Sequence, residues 1–322
     1  MAGDRRERSD ADRTQSSGEV VVREARHDDY DAVAAFTSGT WADRGVSDYI
    51  PRVYHDWIEG DDDQKRTVVA EIDGEIAGLA QSVMLSKWEA WNQGLRVNPD
   101  YRGRGVSVAV TVDLFAWARE QGATVARNMV FSWNGAGLGQ SRATGYDPVT
   151  EFRWAHPEPD AGAESAFDVT AEPNAAWHFW TDSEARDRLA GLALDDEETW
   201  AVSLLTREDL QRAADDGGLF VVQRDDGTAG FAHRVREYER ESEEDDSVET
   251  ERWVEYGVGA WADAASADAL FAAVARDAAD RGADRTRVLI PESARFVSDA
   301  AACRVGIAEE PDFVMAADLT PQ

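Results

Sequence analysis

The sequence predicts an α/β protein built as two similar units in tandem. Three observations lead there: a strand, helix, helix, hairpin, strand order in the first half, a partial copy of that order in the second half, and a proline- and charge-rich stretch between them. The 322 residues leave room for two domains of ordinary size, about 150 residues each.

Taken in order, residues 1–18 are charged and lack any apolar segment, so they read as a disordered tail and not as a signal peptide. The first domain then spans 19–156. Val20–Ala25 reads as its first strand, and 28–38 and 47–58 as helices. Arg66–Ile72 and Glu75–Leu85 flank Asp73-Gly74, a pair that favours a two-residue hairpin turn. Trp88–Val97 continues the sheet into a glycine-rich loop. Val106–Gln121 is amphipathic, with Val110, Leu114, Trp117 and Ala118 at helical spacing. Thr124–Ser132 reads as a buried strand, followed by a short helix near 136–144 and a strand near 147–155. Residues 157–166, opening Pro157-Glu158-Pro159-Asp160-Ala161-Gly162, read as a linker.

The second domain, 167–322, echoes the first. Val68-Val69, Asp73-Gly74 and Ala77-Gly78-Leu79-Ala80 recur as Val221-Val222, Asp226-Gly227 and Ala229-Gly230-Phe231-Ala232, 153 residues later. A strand at Trp253–Val258, an alanine-rich helix at Ser266–Arg281 and an apolar run at Thr286–Ile290 follow in matching order. The acidic stretch Glu237–Glu251 reads as a solvated hairpin tip. Cys303 lies in an alanine-rich helical stretch and reads as a buried structural thiol. As the one cysteine of the chain it excludes an internal disulfide and fits a reducing cytoplasm.

Sixty-four acidic residues stand against 33 basic ones, a formal charge of −31, and lysine occurs only at Lys65 and Lys87. No basic stripe exists to neutralise phosphates along a nucleic acid, and no apolar run is long enough to span a membrane. The balance resembles that of salt-in halophile proteins, whose surfaces carry carboxylates. Homodimerisation is compatible with the sequence and is not specified by it.

Against this acidic background, Arg102-Gly103-Arg104-Gly105-Val106-Ser107 stands out. It connects a strand to a helix. Glycines let a ligand approach the backbone, and the first N–H groups of a helix have no internal partner. Together with the helix dipole and two guanidiniums, they make a site for a pyrophosphate.

With its neighbours Val97-Asn98-Pro99-Asp100-Tyr101, this loop resembles the signature of the GNAT N-acetyltransferase superfamily, Arg/Gln-x-x-Gly-x-Gly/Ala, matched at Arg102, Gly105 and Ser107. Ser107 departs from the usual glycine or alanine, but it is small and can donate to a phosphate. The resemblance covers about Val20–His156 by motif and about Phe167–Leu319 by architecture. It implies two tandem acyl-coenzyme A N-acyltransferase folds, each a mixed, mostly antiparallel sheet flanked by helices. It also implies that the amides of 102–107 hold the pyrophosphate of acetyl-coenzyme A, the co-substrate, whose acetyl group passes directly to a primary amine of a small molecule or protein. The acidic surface is compatible with this anion: at molar salt the Debye length is roughly 3 Å, so distant carboxylates are screened while contacts survive.

The same resemblance places Leu95, Arg96 and Val97 along the pantetheine arm, with a backbone N–H as oxyanion donor. Asn134 would hydrogen-bond the arm, although Asn134-Gly135 also suits an ordinary turn. Ser141 stands where the family commonly has a tyrosine general acid. A serine hydroxyl is a poor proton donor, which leaves water, Tyr146 or Tyr101, an unassisted thiolate, or a domain that binds without catalysing. The family often places a carboxylate base on the fourth strand. This chain has Gln93 there, and Glu89 is the nearest carboxylate, equally readable as an exposed edge residue. Asp43, Asp48, Glu71 and His55 are weaker candidates. Trp41, Tyr49, Tyr54, Trp88, Trp91 and Trp133 read as core, with an aromatic or cationic acceptor as the functional alternative. The second half carries Gly259-Ala260-Trp261-Ala262-Asp263 where the loop would recur, with an aspartate in the phosphate position, so it is expected to be structural or to shape the acceptor pocket. No His/Cys/Asp grouping has metal-ligand spacing, and no metal is expected.

Overall fold

The computed structural model describes residues 18–41, 47–59, 64–244 and 247–320. All but the last residue of the expected tail, and Asp43, lie outside the described residues. The fold is an α/β arrangement of mixed sheet and helices, and the chain divides into two compact units, Met1–Ser82 with Gly94–Trp117, and Val83–Gln93 with Ala118–Gln322.

In the smaller unit, β1 (Val21–Glu24) pairs antiparallel with β2 (Lys65–Ile72), and β3 (Glu75–Met84) follows on its other side. The turn between β2 and β3 has Asp73 and Gly74 both at positive φ, 54° and 86°, as the Asp-Gly pair predicts. Two helices, α1 (Tyr30–Thr37) and α2 (Ile50–Ile58), precede β2. Their apolar residues Val33, Ile50, Tyr54 and Trp57 pack with Val69 and Leu79. On α3 (Val106–Glu120), the apolar stripe Val106, Val110 and Leu114 packs on Val68, Ala70, Ile72, Ala77 and Ala80, because alternate residues of β2 share one face.

In the larger unit, the start of β4 (Glu89–Val97) runs parallel to β5 (Val125–Phe131) over Glu89–Trp91 and Val125–Arg127. Then come α4 (Gly135–Ala143) and β6 (Asp147–His156). The second half of the chain contributes β7 (Asp168–Thr170), α5 (Pro173–Thr181), α6 (Glu184–Arg188), β8 (Leu192–Leu194), β9 (Val202–Leu204) and α7 (Arg207–Asp215). There follow β10 (Leu219–Arg224), β11 (Gly227–Glu244), β12 (Ser247–Trp261), α8 (Ala264–Asp280), β13 (Arg285–Pro291), α9 (Ala294–Ala302), β14 (Gly306–Ile307) and β15 (Asp312–Asp318). From β7 onward the element order follows that of β1 to β6, with β8, β9, a third helix before β10, and β14 added.

The β10–β11 turn sits one residue earlier than its counterpart, at Asp225-Asp226, with Arg224 facing Gly227. Backbone pairing extends β11 and β12 as a hairpin to Glu244 and Ser247, so the acidic stretch belongs to a long ribbon. Cys303 is the residue capping α9 and is partly exposed, with burial and Asp268 and Asp299 raising its thiol to about 11.

Strand pairing departs from two independent domains. β15 lies between β5 and β6, antiparallel to both, with Asp312 facing Phe131 on one side and Phe152 on the other. β6 in turn pairs with β13 through Phe152–Ala155 and Val288–Pro291. The last strand of each half thus joins the sheet beside the penultimate strand of the other. The stretch 157–166, read as a linker, falls inside this unit: Asp160 N–H donates to Ala275 at 3.0 Å and Arg276 to the Ala163 carbonyl at 2.5 Å. A single core, from Trp91 and Phe152 to Phe231, Trp261 and Phe296, fills it. No described helix is long and apolar enough to cross a membrane.

Candidate functional site

The Gly-Arg loop is built from the end of β4. Asn98 N–H donates to Ala77, tying the strand's exit to β3, and the Asn98 side chain caps a short 3-10 turn over Pro99–Tyr101 by accepting from Asp100 N–H at 3.1 Å. Gly103 and Gly105 adopt φ of 76° and 84°, the left-handed region that a side chain would strain, and a Cβ at either would meet no protein atom within 4 Å. The chain then enters α3, whose first α-helical bond runs from Ala109 N–H to Gly105. No acidic residue stands in its first turn. Arg102 is exposed, and Arg104 lies 5.5 Å over the Tyr101 ring. Among the described residues neither forms an ion pair, although most arginines of this acidic chain do. Two guanidiniums outside any ion pair among the described residues, at a helix N-terminus with open backbone, have the chemistry to receive an anion.

Upstream, Arg96 is fixed. Its guanidinium bridges both oxygens of buried Asp48 at 2.7 and 3.3 Å and stacks on Trp41 and Tyr49 at 4.4 and 5.6 Å. Asp48 also accepts at 3.1 Å from the N–H of Ile50, the first residue of α2. This pair anchors the backbone of Leu95 and Val97, and it assigns Asp48 a structural task. Glu71 and Arg23 are likewise paired, Tyr54 donates to the Arg26 carbonyl from a buried position, and exposed His55 stacks on His27 and Tyr30.

The corresponding turn of the second half is closed by a carboxylate. Asp263 caps α8 by accepting from Ser266 N–H at 3.0 Å, its own N–H returns to Ser266 Oγ, and Arg224 binds both its oxygens. The Arg224 guanidinium and the Ser266 N–H hold this carboxyl well below the usual range. A bound negative charge already satisfies the helix terminus where a phosphate would otherwise go.

In the larger unit Trp88, read as core, is exposed, and the expected polar residues take structural partners. Glu89 is not an exposed edge carboxylate. It is buried, 2.5 Å from Arg127, and also accepts from Leu204 N–H and Ser86 Oγ, both at 3.1 Å. Its carboxylate is thus committed to Arg127, Leu204 and Ser86. Gln93 donates to Glu198, and Asn92 to the Tyr146 hydroxyl at 2.8 Å. Asn134 caps α4, accepting from Gly137 N–H at 2.9 Å, so the turn is a helix start. Ser141 is buried and accepts from Asn128 at 3.1 Å. Burial also drives the Tyr146 hydroxyl far above its ordinary value, so it does not donate protons readily.

Sequence reasoning missed a cluster around Arg287. Its guanidinium lies between Trp154 and Trp200, 4.3 and 4.0 Å from the ring centres, and pairs with fully buried Glu255. Beside it, Asp312 accepts from Trp154 Nε1 at 3.0 Å, and burial pushes its carboxyl up to about 6. Phe131 and Trp133 stack at 5.1 Å, with Phe131 edge-on to Trp200. The positive φ of Trp200, 68°, was a feature no spacing could announce. Among the described residues no group of three or more His, Cys, Asp or Glu could hold a metal.

Residues 24–136 match the acetyltransferase (GNAT) family. A histidine N-acetyltransferase of Xenopus tropicalis is 34% identical over 91 residues, 28% of this chain and 26% of that protein, so the match spans about a quarter of the relative's length. A GCN5-related N-acetyltransferase from Sphaerobacter thermophilus superposes with a TM-score of 0.60 at 16% identity, covering 94% of this chain and 96% of the other. A GCN5-related glucosamine N-acetyltransferase region in a fungal multi-domain GH3 beta-N-acetylglucosaminidase gives 0.59 at 15%, covering 95% of this chain and 39% of that one. At these identities the structural likeness is one of fold.

Proposed function

We propose that this chain, whose residues 24–136 match the acetyltransferase (GNAT) family, is an N-acetyltransferase that moves an acetyl group from acetyl-coenzyme A to a primary amine by direct attack. The observation that carries the reading is the 102–107 loop: two left-handed glycines, two guanidiniums without an ion pair among the described residues, and the N-terminus of a 15-residue helix. The loop fits a pyrophosphate, with Arg102 and Arg104 donating charge-assisted hydrogen bonds alongside the amides of 103–107. Arg96, locked by Asp48, keeps the Leu95–Val97 backbone in place for the pantetheine arm and for an oxyanion contact. When bound, the co-substrate supplies an activated thioester, whose thiolate leaves readily. That suits a chain in which Ser141 is buried and bonded to Asn128.

The second half is read as a degenerate copy of the same fold. It repeats the element order, and Asp263 stands where the anion would go. The acidic surface suits work at molar salt in a cytoplasm, where screening spares the contacts at the loop. The acceptor is a small-molecule or protein amine, and with Glu89 engaged its deprotonation falls to water.

One observation favours a second reading, a module that binds coenzyme A without turnover: neither Glu89 nor Ser141 is placed to move a proton. Titration calorimetry with acetyl-coenzyme A at molar KCl, followed by thiol release with a panel of amines, separates the two. Tight binding with no amine-dependent thiol release would sink the enzyme, and no binding would sink both.

A further inference from the structure

Pairing between β4 and β5 runs from Glu89 and Val125 to Trp91 and Arg127. Just beyond it, Gln93 and Phe131 stand on the sheet face that carries Glu89 and Arg127, because alternate residues of a strand share a face. The segment Asp195–Trp200, from the second half of the chain, reaches both of them within the larger unit. Glu198 accepts from Gln93 Nε2 at 2.8 Å, and Trp200 stands edge-on to Phe131 with ring centres 6.5 Å apart. Phe131 in turn stacks on Trp133 at 5.1 Å, their planes 8° apart. Gln93, Phe131, Trp133, Glu198 and Trp200 are all half-buried, so each presents part of its surface to solvent.

The segment is held by its backbone. Arg236 donates to the carbonyls of Asp195 and Glu198 and to Thr199 Oγ1, and Arg212 pairs with Asp196. Trp200 adopts a φ of 68°, a value that strains a bulky side chain and that the surrounding contacts maintain. Glu198 differs from the buried carboxylates of this face in what binds it. Glu89 is neutralised by Arg127, and Glu255 by Arg287 and Arg236. Gln93 gives Glu198 a hydrogen bond from a neutral amide, which orients the carboxylate without cancelling its charge, and a carboxylate has about four acceptor sites. A carboxylate so oriented beside three aromatic rings favours a cation attached to an apolar body.

We infer that this face binds the acceptor of the proposed acetyl transfer, a primary amine on an aromatic body, with its ammonium on Glu198 and its ring against Phe131, Trp133 and Trp200. The inference rests on the acetyltransferase reading for the step that follows binding, and not for the binding itself. Glu198 is a positioning residue: it holds the nitrogen, and water then removes the proton. The second half of the chain thereby supplies the charge that selects the acceptor. An anion on the same ring is repelled by Glu198, and an uncharged counterpart keeps the ring contacts while losing the ion pair.

The test is calorimetry on the full chain at molar KCl without coenzyme A, so that its outcome is independent of the Gly-Arg loop. The probes are phenethylamine, its neutral counterpart phenethyl alcohol, and phenylacetate. Phenethylamine is expected to bind with a Kd of about 1 mM or tighter, and the other two at least about tenfold more weakly. Glu198→Gln should weaken the amine at least about tenfold and leave the alcohol within about twofold. If that variant does not fold, the wild-type preference for the amine over the alcohol decides alone. No binding of the amine, equal binding of amine and alcohol, or an unchanged amine Kd in Glu198→Gln would each overturn the inference. Thiol release from acetyl-coenzyme A is read separately. Where it occurs, Glu198→Gln should raise the KM of the amine at least about tenfold and leave that of acetyl-coenzyme A within about twofold. Glu198-dependent amine binding with no thiol release retains this site and refutes the acetyltransferase reading instead.

Discussion

Replacing Glu89 by glutamine separates a structural carboxylate from a catalytic one. The side chains of Glu89 and Arg127 are 2% and 10% exposed and 2.5 Å apart, and the same carboxylate takes the Leu204 N–H. Glutamine keeps the shape and one acceptor oxygen but leaves the guanidinium buried opposite a neutral group. Removing one partner of a buried pair costs about 3–5 kcal/mol, and the retained oxygen puts the expected loss near 3. The unfolding entropy is about 2.1 cal/mol/K per residue, so for a unit of roughly 200 residues that loss lowers the melting temperature by about 7 °C. Molar salt does not rescue it, because the pair is shielded from ions. Calorimetry at molar KCl reads the shift, and thiol release assayed well below the transition reads turnover per folded molecule, which should stay within about twofold of wild type. A variant that melts within about 1 °C of wild type but turns over about a hundredfold more slowly would refute the reasoning and restore Glu89 as the base.

The loop predicts that Arg102→Ala with Gly105→Glu raises the Kd for coenzyme A at least about a hundredfold, from lost charge-assisted bonds of about 1.5–3 kcal/mol each and a carboxylate set at the helix N-terminus, while far-ultraviolet dichroism is unchanged. Asp312 gives a pH test. Its folded carboxyl lies near 6 against about 3.9 unfolded, so the folded state binds more protons in that window and its stability falls as pH rises from about 4 to 6, by about 3 kcal/mol. Asp312→Asn should remove that slope in urea titrations, and an unchanged pH profile would show that burial does not shift this group. A charge of −31 predicts a melting temperature that climbs with KCl toward molar concentration, and a flat response would exclude self-repulsion as a determinant.

The elements were legible wherever local chemistry decides them. The Asp73-Gly74 turn, the Val106 start of α3 and the alanine-rich α8 follow from turn preference and apolar period, and they stand within a residue or two of their expected limits. The fates of Glu89 and Asn134 were not legible. A carboxylate four residues before Gln93 reads the same whether its partner is solvent or Arg127, and that partner lies 38 residues away. Asn134 offers its oxygen equally to a turn, a ligand or the Gly137 N–H, and only the backbone of α4 decides.

The exchanged strands show why a repeat in sequence does not by itself define two separable bodies. β6 shows alternation at Phe152-Arg153-Trp154 and β15 is a short apolar run, and neither pattern says which neighbour completes the ladder. In this chain β6 completes β13 and β15 completes β5, and Arg153 of β6 adds a paired contact to Glu292 beyond β13. Cutting the chain at 157–166 would therefore strip β5 and β13 of their neighbours and expose two unpaired strand edges. Within the larger unit, the first and second halves of the chain are joined through β6 and β15. Their helix N-termini differ: α8 is closed by Asp263 and Arg224, while in the loop before α3 neither arginine forms an ion pair among the described residues. Asp263 and Arg224 close the N-terminus of α8, and for that reason the proposed pyrophosphate site lies at Arg102–Ser107 and not at its counterpart in the second half.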